Sequence, residues 1–85
     1  MKLNNKTIDV WNKAKDCGCQ ESDCDTNHKL CGICSNKIVY TAHKSNQPNS
    51  KFAWDIDHII PLKNGGTDDI NNLQISHVVC NSKKN

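Results

Sequence analysis

No arginine occurs anywhere in this chain of 85 residues. That excludes the bidentate guanidinium-to-guanine contact, the commonest specific reading of a DNA base, so any binding to DNA would have weak sequence selectivity. Lysine remains available as a point charge for phosphates. Aromatic residues make up 5% of the chain and apolar residues 35%. Chains this short and this polar usually need disulfides, metal ions or a second copy to stay folded. No apolar run is long enough to cross a membrane, and MKLNNKTIDV lacks the apolar segment of a secretory signal. The net charge of +2 is only weakly basic, and all the excess lies in residues 31–85, since residues 1–30 carry five Lys against five acids. Charge alone does not announce a nucleic-acid partner.

Cysteine is what the chain has in quantity. Cys17, Cys19, Cys24, Cys31, Cys34 and Cys80 form an even set, which admits a secreted disulfide scaffold. Short paired spacings with histidine alongside fit zinc better, and imply a reducing, cytoplasmic compartment. Cys31-Gly32-Ile33-Cys34 reads as a zinc knuckle, with Gly32 allowing a tight turn that aims both sulfurs at one ion. His77 and Cys80, three apart on an expected C-terminal helix, would complete a tetrahedral site and clip the knuckle to the end of the chain. In so small a core that ion would supply much of the folding free energy. Cys17, Cys19, Cys24 and His28 could make a second zinc site, although their spacing is irregular. The plainer alternatives are a loop with free thiols, or one of these residues exchanged into the first site.

The periodicity over residues 2–15 predicts a short helix capped by Asn5 or Thr7, with Leu3, Ile8 and Trp11 against the core. Residues 16–30 are polar and turn-rich. Lys37–Tyr40 reads as a strand, and residues 43–51 as a surface loop in which His43 is solvated or touches phosphate. Phe52 to Ile60 returns as a strand stopped by Pro61, and Asn64-Gly65-Gly66 is a tight turn. Residues 67–72 form an acidic connection. A brief strand over 73–75 then leads into a helix over roughly 76–84. Everything fits one small α+β domain, residues 1–30 being an N-terminal helix and cysteine-bearing loop, and residues 31–85 the knuckle with the later strands and final helix.

Asp57-His58 pairs a hard carboxylate with an imidazole that titrates near neutrality. Phosphodiester hydrolysis needs such a base for water, and a divalent ion for the charge that develops on phosphate and leaving group. Alternate strand residues face opposite ways, so the strand must end or bend near His58 for both to serve one site. Asp55, on the face of Asp57, could support the ligands of that site from behind, but reads more simply as a solvated strand residue.

Asp57-His58-Ile59-Ile60-Pro61-Leu62, then Gly65-Gly66, Asn72-Leu73-Gln74 and Cys80-Asn81-Ser82-Lys83-Lys84 together resemble the HNH endonuclease motif. Asn72 lies fourteen residues and Asn81 twenty-three beyond His58, as in the family's H-N-N form. The resemblance covers residues 31–85, and Val10-Trp11 and the Trp54-to-His58 lead-in are also similar to small bacterial and phage members. It implies a ββα-metal (His-Me finger) fold, a small α+β architecture stapled by structural zinc, and hydrolysis of DNA to a 5′-phosphate and a 3′-hydroxyl. By position, His58 would be the general base. Asp57 and Asn81 would hold a catalytic magnesium or manganese ion, and Asn72 would brace the loop that presents His58. Lys83 and Lys84 are candidates for phosphate contacts, against the plainer reading of a charged helix end. Asn81 stands where other members carry His, which favours a hard ion, and His77 stands in place of the first Cys of the usual second C-x-x-C. The rival from another class is a non-catalytic zinc-knuckle module that binds nucleic acid, which has no need of Asp57, His58 and Asn81 together. Without arginine and in so few residues, targeting would come from a protein partner or a homodimer.

Overall fold

The computed structural model describes residues 3–84. Its first element, α1 (Asn5–Lys13), begins where the side chain of Asn4 accepts a hydrogen bond from the backbone N–H of Thr7 at 2.8 Å. The cap is therefore Asn4 and not Asn5 or Thr7, whose positions fall inside the helix. The buried stripe is Thr7, Val10 and Trp11. Val10, and not Ile8, is the fully enclosed aliphatic residue, while Leu3 packs at the edge of the core.

A four-residue helix, α2 (Cys24–Asn27), runs directly into β1 (His28–Leu30), which pairs antiparallel with β2 (Lys37–Val39). The knuckle is the turn of this hairpin. Its sharp step falls on Ser35, at φ 62°, whose N–H reaches the carbonyl of Cys31 at 3.0 Å, and Gly32 does not adopt a left-handed conformation. Gly32 is needed for a different reason: a β-carbon there would lie 2.6 Å from Cδ of Gln74 and 3.1 Å from its Cβ.

The second hairpin pairs β3 (Trp54–His58) with β4 (Leu73–His77), Asp57 opposite Gln74 and His58 opposite Leu73. Successive side chains alternate between its faces. Trp54, on one face, meets Trp11 of α1 with ring centroids 5.0 Å apart, and its indole N–H donates to the carbonyl of Tyr40 at 3.1 Å. Each Trp of this size removes about 150–250 Å² from water, a gross gain of roughly 4–6 kcal/mol at about 25 cal/mol per Å². These two rings, with Val10, Ile38, Leu73 and Ile75, form the core. The other face turns Asp57 towards α3 (Val78–Lys84), where Lys84 meets its carboxylate at 2.9 Å. β4 thus runs through His77, two residues longer than the sequence suggests, and α3 starts only at Val78. Two strands and a following helix give the small α+β, ββα-metal architecture. Among the described residues no helix is long and apolar enough to cross a membrane.

Candidate nuclease site and metal centres

Cys31, Cys34, His77 and Cys80 converge, their four ligand atoms all within 4.8 Å of one another. His77 ends β4 and Cys80 lies in the first turn of α3, so the pair does not share a helix face as expected. The strand-to-helix step brings them together instead, with Nδ1 of His77 3.9 Å from the sulfur of Cys80 and 3.4 Å from that of Cys34. A tetrahedral zinc, with Zn–S about 2.3 Å and Zn–N about 2.0 Å, sets its ligand atoms roughly 3.5–3.8 Å apart. The residues fit that ion. Nε2 of His77 sits 2.9 Å from the carbonyl of Lys37, which can accept its hydrogen bond and leave Nδ1 for the metal.

The backbone N–H groups of Ile33 and Cys34 point at the sulfur of Cys31, 3.4 and 3.5 Å away. Burial opposes ionisation of that thiol, yet backbone hydrogen bonds from Cys34, His77 and Ile33 outweigh it and lower Cys31 to about 6. Cys80 is pushed up to about 12, first by burial and then by the neighbouring sulfurs of Cys34 and Cys31. Thiols so crowded resist joint ionisation, and a divalent cation among them reverses that penalty.

A second group lies apart from the first: the ligand atoms of Cys17, Cys19, Cys24 and His28 are also within 4.8 Å of one another. Neither group draws a member from the other.

Asp57, His58 and Asn81 border one cleft of about 390 Å³, together with Ile56, Pro61, Leu62 and Lys63. Asp57 and His58, neighbours at the end of β3, both border this cleft, and His58 also borders a smaller one with Asn4, Lys6, Thr7 and Asp68. Asp57 is 4% exposed. Its Oδ2 accepts from Nε2 of Gln74 at 2.7 Å and from Nζ of Lys84 at 2.9 Å. Lys84 also donates to the carbonyls of His58 and Ile59, so its ammonium already has three acceptors within the chain. Lys83 is exposed near the helix end.

Nε2 of His58 lies 2.7 Å from Oδ1 of Asp68, and this hydrogen bond holds the Asp68 carboxyl below its usual range. Accepting from Nε2, Asp68 selects the tautomer whose lone pair is on Nδ1. Asn72 ties the loop beyond β3: its Oδ1 accepts from the Ile60 N–H at 2.8 Å, and its Nδ2 donates to the carbonyls of Ile60 at 3.0 Å and Thr67 at 2.7 Å. Within that loop Gly66 presses on the chain; a β-carbon there would collide with the Ile60 carbonyl and lie 2.9 Å from that of Pro61.

Two histidine and aspartate readings change. His43 is neither solvated nor free for phosphate: it is 8% exposed, edge-on to Trp54 at 4.7 Å, and its Nε2 lies 3.7 Å from Asp55. Asp55 is likewise not simply solvated, since Lys44 reaches it at 2.7 Å. Sequence reasoning missed Asp68, Gln74 and the inward role of Lys84. A signal existed for Gln74, because pairing two five-residue strands around the loop sets it opposite Asp57. The fold of the loop alone brings Asp68 to His58.

No significant match to a curated protein or to a solved structure was found. The family model for the HNH endonuclease matches residues 31–85, the span that contains the knuckle, both strands of the second hairpin and the final helix. With that match over more than half its length, the chain belongs to the HNH endonuclease family.

Proposed function

We propose that the chain is a metal-dependent endonuclease that hydrolyses DNA phosphodiester bonds, by nicking or double-strand cleavage, leaving a 5′-phosphate and a 3′-hydroxyl. The observation that carries this reading is the meeting of Asp57, His58 and Asn81 on one cleft. A carboxylate and an amide oxygen beside open solvent form a hard donor set, which suits magnesium or manganese. Such an ion, when bound, stabilises the charge that develops on phosphate and leaving oxygen. Asp57 would hold it through Oδ1, since both protein hydrogen bonds fall on Oδ2, and Asn81 would supply the second protein ligand. His58 would take the attacking water's proton on Nδ1 while Asp68 keeps Nε2–H in place. Asn72 would keep the loop, and so the ring, in position. Zinc at Cys31, Cys34, His77 and Cys80 would be structural. Residues 1–85 would act as a single domain, in a cytoplasmic, reducing setting that keeps the thiols ready for metal. Lysines without arginine suit contacts to phosphate more than reading of bases, so a targeting partner or a homodimer would direct cleavage.

The contact of Lys84 with Asp57 favours a second reading. An ammonium already neutralises the carboxylate, which would suit a zinc-knuckle module that binds nucleic acid without chemistry. Plasmid cleavage in magnesium or manganese, comparing wild type with His58→Ala, separates the two. Nicking that needs metal and is lost in His58→Ala, at unchanged zinc content, supports the enzyme. A wild type that shifts DNA on a gel yet cuts in no metal gives the binding module.

A further inference from the structure

We propose that Cys17, Cys19, Cys24 and His28 hold a second, independent zinc ion, which fastens the segment after α1 to the first hairpin. These residues lie entirely outside the span that matches the family, residues 31–85. Four separate backbone positions nevertheless bring one ligand atom each to within 4.8 Å of the other three. Gly18, between Cys17 and Cys19, adopts φ 77°, and a β-carbon there would meet open space, so only the backbone conformation selects glycine. Cys24 opens α2, and His28, its C-cap, opens β1; both are buried, at 4% and 6% exposure.

The histidine carries the argument furthest. Nδ1 of His28 is 3.3 Å from the sulfur of Cys19, and its Nε2 is 3.2 Å from Oε2 of Glu21. One ring nitrogen thus faces the thiols while a carboxylate is placed to accept a hydrogen bond from the other, the carboxylate–histidine–metal relation that fixes a ligating tautomer. His77 repeats the arrangement in the knuckle, with Nδ1 on a sulfur and Nε2 on a backbone oxygen. A disulfide explains the group less well. Three thiols cannot all pair, and a disulfide gives a buried imidazole nothing to bind. Three thiolates and one imidazole form the borderline-soft donor set of a closed zinc site.

The ion's mechanical effect comes from what the segment touches. Leu30 donates to the carbonyl of Lys15 at 2.9 Å, and Lys29 reaches Asp16 at 2.8 Å. Beside the proposed metal, 15–16 is held to β1 by these two ties, one of them to an exposed carboxylate. The zinc would anchor the exit of α1, the helix whose Trp11 closes the core over Trp54.

Zinc content of the full chain, purified under reducing conditions, is the test, measured by elemental mass spectrometry against protein concentration. Two zinc ions per wild-type chain are expected, and one for Cys24→Ser with the knuckle ion retained. Cobalt substitution should show thiolate-to-cobalt absorption falling by about half in that variant. One zinc per wild-type chain overturns the proposal, as does Cys24→Ser that still carries two. Should Cys24→Ser fail to fold, His28→Cys decides: it preserves a four-ligand set, so two ions support the site and one overturns it. None of these readouts depends on nuclease activity.

Discussion

Removing the side chain of Asn72 should loosen the loop after β3 without unpairing the hairpin. Three side-chain hydrogen bonds disappear in Asn72→Ala, two to Ile60 and one to Thr67. The main-chain bond from the Ile59 N–H to the Asn72 carbonyl, at 2.8 Å, is untouched. Each lost bond contributes about 0.5–1.5 kcal/mol net, and water reaches this half-buried site, so the loss comes to about 2 kcal/mol. At about 1.4 kcal/mol per factor of ten, that is roughly a thirtyfold rise in opening of the loop. Asn72→Asp keeps the acceptor but turns an anionic oxygen towards two carbonyls, so it should be worse than alanine. Hydrogen exchange at the Ile60 amide, in zinc-loaded protein, reads the opening directly, and metal-dependent plasmid cleavage should fall in the same order. Wild-type exchange at Ile60 in the alanine variant would refute the reasoning.

Other perturbations act on the same contacts. Gly66→Ala drives a methyl into the Ile60 carbonyl, so cleavage should collapse while zinc content, set elsewhere, stays at wild type by elemental analysis. Lys84→Met removes the ammonium that competes for Asp57; one hydrogen bond to a charged group is worth about 1.5–3 kcal/mol, so manganese affinity by calorimetry should rise by about tenfold to a hundredfold, and unchanged affinity counts against Asp57 as a ligand. For His43, burial pushes the imidazole below its ordinary 6.5, partly offset by Asp55 and reinforced by Lys44. A depressed folded-state value means its stabilising share is present above about 6.5 and lost as the pH falls through the lower folded value. His43→Asn retains an acceptor for the Ser45 N–H, so its urea midpoint should vary less than wild type over that interval, with zinc in excess.

Periodicity and motif spacing made the helix at the N-terminus and the knuckle legible, and singled out Asp57, His58 and Asn81, which border one cleft. Boundaries that depend on pairing were not. Ser76 and His77 carry no strand signal of their own, and they extend β4 only because Asp55 and Trp54 lie opposite. His43 looks like a loop residue because the sequence is polar around it, and the edge of Trp54 buries it. Lys84 looks like an ordinary helix end, because nothing local reports that α3 folds back over Asp57. In each case a contact distant in sequence overrides the local composition.

The tight fit of Gly32 against Gln74 reaches further than the turn that contains it. Any side chain at position 32 displaces the amide of Gln74, and that amide is what donates to Asp57. Positions 32, 74 and 57 therefore cannot drift independently. A bulkier residue in the knuckle is tolerated only with a shorter one at 74, and that exchange strips the carboxylate of its neutral donor. Anyone reshaping the knuckle to take a different ion would be editing the cleft of Asp57 and His58 as well, through a single side chain shared by both.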